Sequence, residues 1–182
     1  MKRIMICFAF VVVYQFSFCQ LKLVDKESSI TFKVKNFGFT VSGVVTGIVG
    51  DIVFEPNNLA NASFKISIDA STINTDNSLR DDHLKGEPYF DVNKFPRIEF
   101  ISSSVSEKNG TFILSGTIKI KNHSKNVSFP FTATSSAGGY LFNGKVDANR
   151  KDFDIGGTST ISNNVEVILH VVANTQQHLT SN

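Results

Sequence analysis

Residues 111–131, TFILSGTIKIKNHSKNVSFPF, decide the fold. Apolar side chains recur there at every second position. Phe112 and Leu114 face one way, and Ile118 and Ile120 alternate with Lys119 and Lys121. After the polar break KNHSKN, Val127, Phe129 and Phe131 alternate with Ser128 and Pro130. A period of two sends successive side chains to opposite faces of an extended chain, giving each strand one apolar and one wet face. The same alternation runs outward in both directions. Ile30, Phe32 and Val34 oppose Thr31, Lys33 and Lys35, and Phe64, Ile66 and Ile68 oppose Lys65, Ser67 and Asp69. Tyr140, Phe142, Gly144 and Val146 share a face, as do Val165, Val167, Leu169 and Val171 against Glu166 and His170. Turn formers separate these runs: Asn57 and Asn58, Asn109 and Gly110, Gly138 and Gly139, Gly156 and Gly157. Asn109-Gly110 is the strongest hairpin signal, because both residues accept positive φ. Antiparallel strands at this spacing predict a sandwich or a barrel. Residues 40–54 are too long for one flat strand, and Gly43, Gly47 and Gly50 allow a sharp bend. The polar tail, residues 174–182, is expected to fray.

The first nineteen residues read differently. Lys2 and Arg3 precede an unbroken apolar run from Ile4 to Tyr14, and Ser17 and Cys19 stand at −3 and −1 of a cut before Gln20. This is the pattern of a secretory signal peptide, and the run falls short of the roughly 20 residues a membrane span needs. The expected organisation is a signal peptide, 1–19, and one domain, 20–182. The product would be exported, periplasmic or secreted, with no transmembrane segment after processing. A lipoprotein cut at Cys19 is the alternative, disfavoured by the bulky Phe16 and Phe18. Of 18 basic and 16 acidic residues, the leader removes Lys2 and Arg3 and no acid, so the mature chain is neutral. That balance gives no footprint for nucleic acid. Both Cys also leave, which removes disulfides, thiol nucleophiles and zinc-thiolate sites from consideration.

Residues 69–96 break the alternation. Asn77 or Ser78 caps a predicted short helix running to Lys85, with Gly86 ending it. Pro88 and Pro96 bracket a loop holding Tyr89, Phe90 and Phe95. A crossover this long in a β protein serves as a lid, as a structural plug, or as both. Asp81, Asp82 and His83 form the one dense titratable cluster, and a solvated helix face or a cap accounts for it. It lacks the spacing of a metal site, and the chain has no GxSxG nucleophile motif. Asp152, Asp154 and Arg150 match a calcium loop only loosely, and His123, His170 and His178 are scattered. The surplus of inward Phe fits either a dry packed core or a barrel wide enough to hold an apolar ligand.

Several runs resemble the YceI-like lipid/polyisoprenoid-binding family. The most specific lies in residues 68–102, where Asp69, Thr75, Arg80, Asp81, His83, Leu84, Phe90, Asp91, Lys94, Phe95, Pro96 and Phe100 fall on the family pattern. The entry segment ITFKVKNFGFTVSGVVTGIVGDIVFEP, the hairpin ILSGTIKIKN and the stretch NRKDFDIGG are similar too. Asn36 stands where the family often has His, Val45 where it often has Phe, Asn122 where it has Gly, and Asp154 where Gly is common. The resemblance implies an all-β, extended antiparallel up-and-down barrel of about eight strands, lipocalin-like, with one short helix in the crossover. It implies a long apolar tunnel for a polyisoprenoid, an isoprenoid quinone or a similar chain lipid, with no catalytic residue, metal or cofactor. The tunnel lining expected on that basis is Phe32, Val34, Phe39, Val45, Phe54, Phe64, Ile66, Ile68, Phe90, Phe95, Phe100, Phe112, Leu114, Phe129, Phe131 and Phe142. Asn36, Arg80, Asp82 and His83 are expected at the mouth. A homodimer is left open. The rival readings are a cell-envelope enzyme using the Arg80–His83 cluster, and a structural or stress-related envelope protein with a filled barrel.

Overall fold

The structure is a computed structural model that describes residues 20–136, 138–157 and 160–175. The strands are β1 (Gln20–Leu23), β2 (Ser29–Asn36), β3 (Phe39–Val45), β4 (Val49–Val53) and β5 (Ser63–Asp69). After helix α1 (Ser78–Lys85) come β6 (Arg97–Lys108), β7 (Thr111–Ile120), β8 (His123–Ser136), β9 (Gly139–Asn149) and β10 (Ile161–Thr175). Every neighbouring pair is antiparallel. The order β1-β4-β5-β6-β7-β8-β9-β10, closed by pairing of β1 with β10, makes an eight-stranded barrel. Closure leaves no open sheet edge around that ring.

The strand count reflects two interruptions. β10 pairs with β2 through residues 161–170 and with β1 through residues 173–175, so β1 and β2 form one stave broken by a 3₁₀ turn at Asp25–Glu27. β3 and β4 form the next stave, broken at Gly47, whose φ of +70° suits a residue without Cβ. The long glycine-rich segment therefore bends where the alternation fails. At Asn109 and Gly110 the φ values are +52° and +78°, the tight hairpin expected from that pair. β1 was not legible in the sequence, because four residues are too few to show a period. Its Leu21 is nonetheless 1% exposed. Of the tail expected to fray, Asn174 and Thr175 end β10. The leader, 1–19, and residues 176–182 lie outside the described residues.

The inward faces divide into two layers. At the end where β1 meets β10, the barrel is solid. Phe54 packs its ring 5.2 to 6.1 Å from those of Phe64, Phe112, Phe131, Tyr140 and Phe142, mostly edge to face. Such pairs contribute about 0.5–1.5 kcal/mol each beyond the area they bury. Leu21, Ile52, Val105 and Ala173 fill the gaps between the rings. The other layer is hollow.

Candidate functional site

Above the aromatic layer lies a cavity of about 480 Å³. Strand alternation builds its wall. β2 supplies Ile30, Phe32 and Val34, β5 Ile66 and Ile68, β7 Leu114, Ile118 and Ile120, and β10 Val165, Val167, Leu169 and Val171. The polar exceptions are few: Asn36, Thr75, Arg80, His83, Glu99 and Arg150, with Tyr89 at its edge. Glu99 is held by Lys119 at 3.4 Å. Pockets of this size and lining take apolar ligands held by shape more than by hydrogen bonds.

The crossover closes this end of the barrel. Asp69 accepts from the Ser71 N–H at 2.9 Å and the Ser71 hydroxyl at 2.7 Å, capping the turn Ala70–Thr72. Those bonds, foremost the Ser71 hydroxyl, hold its carboxyl below the ordinary 3.8. Asn74 then bridges to Val44 on β3 through reciprocal backbone bonds of 2.8 and 3.0 Å. The Asn77 side chain caps α1 by accepting from the Arg80 N–H at 3.0 Å, as its residue type predicts. Asp81 turns inward and is 9% exposed, accepting from the Thr75 N–H at 2.9 Å and the Thr75 hydroxyl at 2.5 Å. Arg80 donates from Nε to the Thr75 hydroxyl and from Nη2 to the Thr75 carbonyl, both at 2.7 Å. The titratable cluster is thus not a solvated face throughout. Asp81 is a buried anchor, while Asp82 and His83 are exposed.

A second loop completes the cover. Arg150, 5% exposed, donates to the carbonyls of Ile155, Gly156, Ile161 and Ser162 at 2.7 to 3.1 Å. Gly156 donates its N–H to the Pro88 carbonyl at 2.7 Å, joining the two loops. The family-like stretch NRKDFDIGG includes Arg150 but does not announce its role. Its role comes from the carbonyls that one loop curls around it.

Of the expected lining, Phe32, Val34, Val45, Ile66, Ile68, Phe90, Phe100, Leu114 and Phe129 face the cavity, and Asn36, Arg80 and His83 stand at its polar margin. The rest do not. Phe54, Phe64, Phe112, Phe131 and Phe142 lie in the aromatic layer, packed on one another rather than on open space. Phe39 pairs with Asn36 at the end of the β2–β3 hairpin, beyond the covered wall, and is 78% exposed. Phe95 is half-buried outside the cavity under the Lys94 ammonium, 5.3 Å from its ring centre. Asp82 is exposed and does not line the cavity. The interior is a pocket with a floor, not a through-running tunnel. Many wall positions missing from the expectation are aliphatic: Val41, Ile48, Ile73, Ile98, Val127, Val146 and Ile155. Several carried the alternation signal, but the aromatic residues drew the weight.

Three exposed apolar side chains mark the open margin: Phe37 at 75%, Phe39 at 78% and Leu79 at 77%. Leu79 and Asn36 line the same cavity. Among the described residues, no helix is long and apolar enough to cross a membrane.

Comparison with known proteins agrees with this architecture. A UPF0312 protein of Shewanella oneidensis is 29% identical over 153 residues, covering 76% of this chain and 80% of that protein. A UPF0312 protein of Yersinia pestis is 27% identical over 159 residues, covering 81% and 83%. The crystal structure of Burkholderia cenocepacia BcnA superposes with a TM-score of 0.79 at 20% identity, over 84% of this chain and 99% of that one. A polyisoprenoid binding domain from Saccharophagus degradans, implicated in plant cell wall breakdown, superposes with a TM-score of 0.70 at 11% identity, over 88% and 100%. The model of the YceI-like domain matches residues 21–173, nearly the whole barrel, and the chain belongs to that family.

Proposed function

We propose that this protein is an exported, non-enzymatic carrier that sequesters the chain of an apolar lipid, a polyisoprenoid, isoprenoid quinone or similar molecule, in the upper half of its barrel. The observation that carries this reading is the hollow layer of about 480 Å³ walled almost wholly by hydrocarbon and open beside exposed apolar residues. A chain lipid gains about 0.8 kcal/mol for each methylene taken from water, so few polar contacts are needed. The charged groups at the margin favour holding over chemistry. Arg80 and Asp81 are engaged with Thr75, and Glu99 with Lys119. The binding of a polyisoprenoid by the Saccharophagus domain supports the ligand class, and the signal-like leader supports export.

The test is recovery of the mature protein from its native envelope, extraction into organic solvent and mass spectrometry. The expected result is an intact protein beginning at Gln20 and one apolar chain lipid per barrel. A protein consistently free of lipid would sink the carrier reading, and retention of residues 1–19 would sink export.

A further inference from the structure

The β2–β3 hairpin turns on Phe37 and Gly38 at the margin of the pocket. Their φ values are +49° and +83°, the turn that Asn109 and Gly110 make at +52° and +78°. Such a turn favours Asn or Asp before the glycine, because a bulky side chain is strained in the left-handed region. The chain keeps to this elsewhere. Of the six described non-glycine residues with positive φ, four are Asp or Asn, one is Lys and one is Phe37. No burial offsets the strain at Phe37, which is 75% exposed. Phe39, two residues on, continues the inward alternation of Val41 and Val45, yet it stands beyond the covered wall and is exposed as well. Leu79, also exposed, lines the same mouth from α1.

We infer that this hairpin tip is a membrane-docking element that seats the pocket mouth on the surface of a lipid bilayer. A strained aromatic residue left in water marks a contact made outside the chain. Area and charge select a bilayer as the occupant. Phe37, Phe39 and Leu79 together present about 400 Å² of apolar surface, half of the roughly 800 Å² that each partner of a stable protein complex buries. A tip sunk into the headgroup layer needs no such area, because hydrocarbon surrounds each ring. The hairpin end, residues 34–41, and the neighbouring strand, residues 160–165, carry Lys35 and no acid. Lys35 is exposed, and an ammonium beside aromatic anchors suits the anionic headgroups of a bilayer. Asp76 and Asp82 flank Leu79 in the crossover, so the hairpin leads the contact. The carrier reading supplies a purpose, since a docked mouth would pass a chain lipid to the pocket without crossing water. The docking itself does not depend on that reading.

The experiment is flotation of the mature protein, stripped of lipid, with vesicles of phosphatidylethanolamine mixed with phosphatidylglycerol, and with vesicles of phosphatidylcholine alone. The protein should float with both, and about 5-fold more tightly with the anionic vesicles. Phe37→Asn installs the residue that the turn favours. It should keep or raise the melting temperature while weakening flotation about 10-fold. Phe39→Ser should weaken it by a similar factor. Lys35→Gln should cost about 5-fold on the anionic vesicles and nothing on the neutral ones. Flotation unaltered by either Phe substitution overturns the docking. So does a lowered melting temperature in Phe37→Asn, which would show that the ring holds the barrel. A dimer in solution that Phe37→Asn splits would give the tip to a second copy of the chain, and overturns the docking too. The carrier reading fails separately. Protein that floats but extracts no fluorescent polyprenol from the vesicles brings down the carrier and leaves the docking intact.

Discussion

At the scale of single residues, Asp81 carries the most structure for its size. One carboxylate oxygen takes both polar hydrogens of Thr75, a residue 5% exposed, and Thr75 in turn receives two bonds from Arg80. The helix that covers the pocket is thereby tied to the segment before it. A buried donor left without its acceptor costs about 1–3 kcal/mol. Asp81→Ala should therefore lower stability by about 1–3 kcal/mol in urea or thermal unfolding and speed the loss of bound lipid on dilution. Asp81→Asn, which keeps an acceptor oxygen, should recover most of both. Equal losses in the two variants would show that charge, not the accepted bonds, holds the cover. In the sequence this residue read as part of a charged helix turn. Its burial was hidden because the six-residue reach back to Thr75 depends on how the loop folds.

At the scale of elements, the hollow layer exists because certain inward positions carry no side chain. On the β2–β3 hairpin Phe32 pairs with Gly43, and the Phe32 ring lies over the glycine where a Cβ would otherwise stand. Gly116 on β7 makes the same room for the Phe100 ring. The rings flatten against the wall instead of filling the lumen. Gly43→Ala tests this cleanly, because the atoms its methyl would meet belong to the Phe32 ring and the Thr75 methyl, not to backbone. The barrel should fold, at a cost of about 1–3 kcal/mol for the displaced ring and methyl. The Phe32 ring should swing into the pocket and weaken lipid binding. A crystal structure with Phe32 unmoved, or unaltered lipid binding, would show that glycine does not set the bore. The hairpins themselves were legible from local chemistry, as Asn109-Gly110 shows. The inward glycines were not, because a glycine in a strand reads as a weakness until its cross-strand partner is known.

At the scale of the whole molecule, the barrel separates stability from binding. The aromatic floor supplies dense packing around Phe54, which is 1% exposed. The pocket above gives up that packing to remain open. Phe54→Ala should cost about 3–5 kcal/mol, since it removes the ring on which the other rings converge. The variant should still carry lipid below its melting temperature. Loss of lipid from folded Phe54→Ala would show that floor and pocket are one unit. The sequence by itself determined the alternating strands, their turns, the capped helix of the crossover and hence an antiparallel fold, sandwich or barrel. These depend on period and on φ preferences, which each short segment carries within itself. It also marked which side chains point inward. Whether an inward Phe meets another ring or open space was decided only by tertiary structure. Along the chain, Phe112 and Leu114 on β7 look alike, as do Phe129 and Phe131 on β8. The register across β7 and β8 places Phe112 and Phe131 in the floor and Leu114 and Phe129 on the pocket wall, because height in a barrel is set by pairing between strands and not by position along any one of them.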